Sequence, residues 1–263
     1  MSRTPTRAPR SVLVVAVLGI AFLALPVVGL LQRAPWSSLD DLLGRRSVLD
    51  ALRVSLTVSA MAAAIVVVLG TPLAWMLARV DIPLRRLVRA LVVLPMVLPP
   101  VVGGTALLFA LGRRGLVGQW LDRWFDITLP FTMAGAVVAA TFVALPFYVM
   151  TVEGALRTMG DDLEQMAGTL GAPPLTVLRR IPLPRLLPAM GAGLALAWAR
   201  ALGEFGATIT FAGNLPGSTR TLPLATFQAL ESDPEAALAL SLVLLAVSLV
   251  VLLPTRDRWL PTR

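Results

Sequence analysis

Six long apolar stretches constrain this chain of 263 residues more than any other feature of its sequence. They lie at 11–31, 54–78, 87–111, 133–151, 186–211 and 236–253. A membrane-spanning helix needs about 20 predominantly apolar residues, so each stretch is long enough to cross a bilayer. A membrane β-barrel would instead show alternating segments of about ten residues. We therefore predict an all-α membrane protein with six transmembrane helices.

The side-chain inventory excludes most covalent chemistry. The chain has no Cys and no His, and all 23 basic residues are Arg. Without these residue types there is no ordinary zinc site, haem ligand, thiol nucleophile, Ser-His-Asp triad or P-loop lysine. We therefore expect no catalytic residues, no bound metal or cofactor, and no ATP hydrolysis by this chain. The net charge of +8 indicates arginines beside membrane spans rather than a nucleic-acid partner.

The distribution of arginines predicts the orientation of the spans. If both termini are cytoplasmic, the cytoplasmic segments hold fourteen arginines and the opposite side holds eight. Short loops rich in Arg tend to remain in the cytoplasm. We therefore expect a multi-pass protein of the cytoplasmic membrane, with both termini in the cytoplasm.

The segment 153–184, between the fourth and fifth stretches, has the pattern of two short helices. Asp161 followed by Glu164 fits an N-terminal capping box, and Gly171 supplies a stop. An apolar face lies between them, formed by Leu163, Met166, Ala167 and Leu170. Pro174 can begin a second short helix. Such a segment suits either an amphipathic helix on the membrane surface or a docking element for a cytoplasmic partner.

The same segment resembles the signature loop of type-I ABC importer permeases. That signature reads Glu-Ala-Ala, three residues, Gly, nine residues and Ile-x-Leu-Pro. The corresponding positions here are Gln165, Ala167, Gly171, Ile181, Leu183 and Pro184. Gln165 stands where the family has Glu, and Glu164 lies one position earlier. The resemblance implies the type-I ABC importer permease fold, with this loop docking on an ATPase subunit.

Two opposite charges lie four residues apart in the fifth stretch. Arg200 and Glu204 share one helix face and can pair. Each charge alone at mid-bilayer would cost about 2.5–3.5 kcal/mol, so we expect the pair to face the bundle interior. The pair either fixes helix packing or forms a polar element near the conduction path or its gate. Gly203 and Gly206, which are expected to allow close helix approach, and Thr208 complete the pathway candidates.

The residues that follow resemble the molybdate branch of the same family. The matching runs are Gly-Glu-Phe-Gly-Ala-Thr at 203–208 and Ala-Gly-Asn-x-Pro-Gly-x-Thr-Arg-Thr-Leu-Pro at 212–223. Sulfate permeases are similar but have Tyr after the Glu, and tungstate shares the charge and shape of molybdate. The resemblance implies a molybdate importer, with tungstate or sulfate as alternatives. A proton-coupled secondary oxyanion transporter is a remoter alternative, although no internal repeat is visible.

The resemblance also implies a domain organisation and a set of partners. Residues 1–51 form an N-terminal tail, the first span and an external loop, 52–252 form the permease domain, and 253–263 form a cytoplasmic tail. We expect no C-terminal regulatory domain. The expected assembly is a homodimer in the inner membrane. Two copies of a cytoplasmic ATPase, which uses ATP and Mg, and an extracytoplasmic oxyanion-binding protein would complete it.

Prolines interrupt two of the apolar stretches. Pro95, Pro99 and Pro100 lie in the third stretch, and Pro146 lies in the fourth. An internal proline removes a backbone hydrogen bond and bends a helix. We expect helix kinks at these positions, either as static bends, or as hinges or a broken-helix lining of the path.

Overall fold

The computed structural model describes the backbone of residues 9–259 and the side chains as far as residue 251. Within 9–259 the chain forms helices and no β-strand, so the all-α prediction is confirmed. The helices are α1 (Arg10–Gln32), α2 (Leu39–Gly44), α3 (Arg46–Arg79), α4 (Arg85–Val97), α5 (Pro100–Leu111), α6 (Gly118–Phe125), α7 (Met133–Thr158), α8 (Asp162–Thr169), α9 (Pro174–Arg180), α10 (Pro182–Leu202), α11 (Gly206–Phe211), α12 (Leu222–Ser232) and α13 (Pro234–Trp259). The predicted tails at 1–8 and 260–263 lie outside the described residues.

The candidate membrane spans fall on the predicted apolar stretches. In the described part of the chain, α1, α3, α7 and α13 are each long and apolar enough to cross a bilayer alone. Two bent helix pairs, α4 with α5 and α9 with α10, raise the number of candidate spans to six. The helices α7 and α13 continue past their predicted ends, to Thr158 and Trp259.

The third apolar stretch is broken rather than kinked. Helix α4 ends at Val97, Leu98 has an extended backbone, and α5 begins at Pro100 at an angle of 119° to α4. A proline disfavours the helical conformation for the residue before it and cannot donate a backbone hydrogen bond. Consecutive Pro99 and Pro100 therefore end one helix and begin the next. By contrast, α4 continues through Pro95 and α7 continues through Pro146.

The helix that covers the fifth apolar stretch ends before the stretch does, so the prediction of one continuous span over 186–211 is wrong. Helix α10 ends at Leu202, and the short helix α11 begins at Gly206. Between them, the backbone N–H of Ala207 donates to Oε1 of Glu204 at 2.7 Å. A side chain that accepts from the first turn of the next helix acts as an N-terminal cap, and this favours a break over continued helix.

Helices α3, α7 and α10 form the centre of the bundle around Tyr148, the single tyrosine of the chain. Its ring lies between the backbones of Gly70 and Gly193. A Cβ at Gly70 would lie 2.6 Å from Cδ1 of the ring, and one at Gly193 would lie 3.2 Å from Cδ2. The Tyr148 hydroxyl is 2.8 Å from Oγ1 of Thr71. Small residues at these positions allow the three helices to approach closely.

Candidate functional site

The segment between α7 and α10 folds into the two short helices that the sequence predicts. Gly171 follows α8 with a positive φ of 79°, a conformation that glycine adopts without steric cost. Its N–H donates to the carbonyl of Gly168 at 3.0 Å, and the N–H of Ala172 donates to that of Ala167 at 3.1 Å. These two bonds form a Schellman motif, which closes the end of α8. We call residues 162–180 the elbow.

One ion pair holds the elbow against the bundle. Arg79, the last residue of α3, donates to Oε1 of Glu164 from Nε at 3.2 Å and from Nη2 at 2.9 Å, and also to the carbonyl of Gly160. The two charged side chains are only 11% and 17% exposed. The predicted capping box is therefore wrong, because Glu164 binds a guanidinium instead. Gln165 donates to Oδ2 of Asp161, the residue just before the elbow, at 2.8 Å.

The outer face of the elbow is apolar and exposed. It presents Leu163, Met166 and Leu170, the last of them 87% exposed. Apolar side chains grouped within a polar surface mark interaction sites. At the far end of the elbow, Ile181 precedes α10, while Leu183 and Pro184 lie in its first turn. The residues of the signature loop thus form the elbow and its junction with the long helix α10.

The predicted ion pair between Arg200 and Glu204 spans the break after α10. Nη1 of Arg200 lies 2.7 Å from Oε2 of Glu204, and the Glu204 side chain is only 1% exposed. The contact is ionic, because Oε2 has no well-aligned hydrogen bond within the described residues. Since Oε1 caps α11, the carboxylate joins the end of one helix to the start of the next.

The break between α4 and α5 meets the break between α10 and α11. A Cβ at Gly206 would lie 2.7 Å from Cβ of Pro100 and 3.2 Å from the backbone N of Val101, and one at Gly104 would lie 2.7 Å from the carbonyl oxygen of Ala207. The backbones of α5 and α11 are therefore in direct contact, and we call this place the crossing. Thr208 is buried beside it. Helices interrupted within the membrane form the binding sites of many transporters, so the crossing is the candidate pathway element.

The prediction of close helix approach holds at Gly206 but is wrong at Gly203. Gly203 is exposed, and an added Cβ would meet no atom closer than 3.6 Å. Its φ of −86° requires no glycine either. Within the described residues, Gly203 follows the last turn of α10 and makes no close contact.

A charged cluster between α4 and α7 was not predicted from the sequence. The buried Glu153 accepts hydrogen bonds at Oε1 from Arg89 of α4 and, at 3.0 Å, from Nε of Arg157. Arg157 also donates to the carbonyl of Leu77, near the end of α3, at 3.3 Å. The spacing of Glu153 and Arg157 was a visible signal, whereas the pairing with Arg89 spans 64 positions and is not visible in the sequence. In the described part of the chain, no group of three or more potential metal ligands occurs.

Comparison with known proteins identifies the class of protein that has this arrangement. Residues 67–256 match the family model described as binding-protein-dependent transport system inner membrane component. The chain belongs to this family and is a multi-pass membrane protein. The family match therefore confirms the assignment made from the signature loop.

Within the family, the chain is similar to permeases named for molybdenum. It is 48% identical to the molybdenum transport system permease protein ModB of Mycobacterium tuberculosis, over 95% of this chain and 94% of that protein. Its identity to the Escherichia coli protein of the same name is 41%, over 80% of this chain and 92% of that one. The sulfate transport system permease protein CysT of Salmonella typhimurium is 40% identical over 84% of this chain and 80% of its own. The resemblance to the molybdate branch is thus confirmed.

The fold is also that of solved importer permeases. A crystal structure of a bacterial ABC transporter involved in the import of alginate matches with a TM-score of 0.76, at 18% identity, over 96% of this chain and 95% of that one. A second crystal structure, of the bacterial alginate transporter with a pentasaccharide-bound periplasmic protein, matches with a TM-score of 0.74, at 18% identity, over 93% and 91%. At this identity the matches establish the fold alone, and they confirm the predicted permease fold.

Proposed function

We propose that this chain is the transmembrane permease subunit of an ATP-driven importer that carries molybdate across the inner membrane. The observation that carries the proposal is similarity, over nearly the whole of both chains, to permeases named for molybdenum transport. Tungstate has the same charge and tetrahedral shape, so it is the expected alternative cargo. The chain itself forms and breaks no covalent bond.

In this proposal the elbow docks on a cytoplasmic ATPase, which binds ATP and Mg. The exposed apolar face of α8 supplies the contact surface, and the Schellman turn at Gly171 holds its shape. The ion pair of Arg79 with Glu164 passes displacement of the elbow to α3. Two permease subunits with two ATPases would then alternate between two packings, biased by ATP and by an extracytoplasmic binding protein that delivers the anion.

The crossing of α5 and α11 is the proposed gate region. It brings together the breaks of two spans, and Arg200, Glu204, Gly206 and Thr208 lie at or beside it. Because its backbones are in contact, a small displacement of either helix must change the packing of the other.

The sulfate permease CysT is also similar to this chain, so sulfate is the second candidate cargo.

Competition uptake tests the proposal. The permease would be reconstituted in liposomes with its cognate ATPase and binding protein, and labelled molybdate uptake would be followed with unlabelled tungstate or sulfate present. We expect ATP-dependent uptake that tungstate suppresses at concentrations similar to those of molybdate, while sulfate acts only in large excess. Preferential sulfate uptake would reassign the cargo, and uptake without ATP would support a secondary transporter.

A further inference from the structure

Helix α4 is lightly held for an element that leads directly to the crossing. It has no buried residue, and its side chains Leu87, Leu91 and Val97 are exposed. Only Val88 and Val92 pack partly against the core of the bundle. Its C-terminal end turns through 119° into α5, which packs against α11. At its first position Arg85 donates to the carbonyls of Leu77 and Ala78 at the end of α3. Beyond Arg85, α4 makes few contacts with the rest of the described chain, as is typical of elements that move.

The polar connection from α4 to α7 is the cluster around Glu153. Arg89 and Arg157 both donate to Oε1 of this carboxylate. The Glu153 side chain is 8% exposed, whereas those of Arg89 and Arg157 are 41% and 43% exposed. The cluster thus consists of one buried anion between two cations that remain partly in contact with solvent.

The two arginines differ in what happens when α4 moves. Arg157 lies on the same helix as Glu153, one turn later, so it accompanies the carboxylate in any displacement of α7. Arg89 lies on α4 and would leave with it. Because Arg157 remains, the buried carboxylate keeps a cation, which avoids the large cost of an isolated buried charge. The released Arg89 is already partly hydrated.

Space for this rearrangement exists beside the cluster. A cavity of about 250 Å³ is lined by Arg89, Val92, Met150, Glu153 and Arg157. The cavity has room for several water molecules, each of which occupies about 30 Å³ in the liquid. Water can therefore enter beside the ion pair as the two helices separate.

We propose that Arg89 and Glu153 form a releasable latch between α4 and α7, through which motion of the elbow reaches the crossing. Glu153 lies nine residues before α8 begins, on the helix that leads into the elbow. Arg89 lies on the helix that leads into α5. The latch thus joins the docking element to the proposed gate, and this inference rests on the proposed function. Arg89 and Glu153 are positioning residues that do not contact the transported anion.

The first experiment measures coupling in the whole transporter. The permease with its ATPase and binding protein is reconstituted in liposomes, and ATP hydrolysed per molybdate imported is compared for wild type, Arg89→Ala and Arg89→Lys. We expect Arg89→Ala to raise this ratio severalfold, because ATP hydrolysis would continue while displacement of the elbow no longer reaches the crossing. Arg89→Lys keeps the charge and should restore much of the coupling.

A matched control lies at the other end of the bundle. Arg45→Ala removes an exposed ion pair with Asp233 between separate helices, and the ratio should equal that of wild type. A merely structural role of Arg89 would lower uptake and ATP hydrolysis together and leave their ratio unchanged, which would overturn the latch. An equal rise in Arg45→Ala would also overturn it, because the effect would then not belong to this pair.

The second experiment keeps the latch intact and measures its movement. Because the chain has no cysteine, Arg86→Cys on α4 and Thr158→Cys on α7 can carry two spin labels at exposed positions. We expect the label distance in the assembled transporter to change by several ångströms between the nucleotide-free and ATP-bound states. A distance that is the same in both states, in a transporter that imports molybdate, would overturn the latch alone. Absence of ATP-dependent oxyanion uptake in wild type would instead overturn the proposed function.

Discussion

Glycine is favoured at positions 171 and 206 for two different physical reasons. Gly171 has a positive φ with open space around it, whereas Gly206 has an ordinary backbone but lies against Pro100. The helix–Gly–helix pattern predicted the first, because a stop after an apolar face is a local signal. The contact partner of Gly206 could not be predicted, since it lies on a different span. Gly203 has neither reason, and its predicted packing role was wrong.

Substitution of Gly171 should weaken docking in proportion to the cost of a left-handed backbone. That conformation costs an ordinary residue about 1–2 kcal/mol, and Asn tolerates it better. We expect Gly171→Val to lose most of the molybdate uptake and Gly171→Asn to retain more. Co-purification of the ATPase with each permease variant measures the docking directly.

Gly168→Ala is the matched control for the turn at Gly171. This glycine lies inside α8, and an added Cβ would meet no atom within 4 Å. Alanine also favours helix over glycine by about 1 kcal/mol. Wild-type docking is therefore expected in this variant, and full docking of Gly171→Val would contradict the role of the turn.

Two elements of the bundle depart from the regular spans that hydropathy predicts. The prolines at 99 and 100 were visible signals, and they predicted a distortion but not a turn of 119°. The break before α11 had a weaker signal, because Gly203 and Gly206 each disfavour helix by about 1 kcal/mol but no proline interrupts the stretch there. It follows from the Glu204 carboxylate accepting from Ala207 and pairing with Arg200. Local propensity contains no information on such a buried charge pair.

Removal of the Arg200 charge should destabilise the bundle through Glu204. Arg200→Ala leaves a carboxylate of 1% exposure without its cation, and breaking a buried pair costs about 3–5 kcal/mol. In the double variant Arg200→Ala with Glu204→Gln, the amide oxygen can still cap α11, so part of that stability should return. Thermal unfolding in detergent measures both, and equal stability of the two variants would contradict a buried, paired Glu204.

The corner between α12 and α13 should make stability depend on pH. The N–H of Ala236 donates to the carboxylate of Asp233, and this bond, with the Arg45 side chain, lowers the pKa of Asp233 below its usual value. A lowered pKa in the folded state adds stability above the unfolded pKa, which is lost as pH falls through the folded pKa. Unfolding of wild type should therefore become easier on acidification, whereas Asp233→Asn should lack this component. Identical pH profiles would contradict the assignment.

For the whole molecule, the order of spans and the type of fold could be predicted, but the long-range pairs could not. Apolar length, the signature loop and the run after Glu204 each depend on residues close together in the chain. The crossing depends on Pro100 and Gly206, and the latch depends on Arg89 and Glu153, which are far apart in sequence. Those contacts exist only once the spans have packed.

The orientation of the whole molecule can be tested with single cysteines in this cysteine-free chain. Leu170→Cys lies on the elbow and Leu215→Cys lies in the loop after α11, and both positions are exposed. If the termini and the elbow are cytoplasmic, a membrane-impermeant maleimide added to intact cells should label position 215 but not 170. Inside-out vesicles should give the reverse pattern. Labelling of position 170 from outside would contradict the predicted topology and ATPase docking.

The length of α3 has a mechanical consequence. Its 34 residues extend about 51 Å, well beyond a hydrocarbon core of about 30 Å. At one end it adjoins Arg45, which pairs with Asp233, and at the other Arg79 pairs with Glu164. Tilting of this helix about its middle would move its two ends in opposite directions. In the proposed transporter, displacement of the elbow by the ATPase would therefore also shift the opposite end of α3.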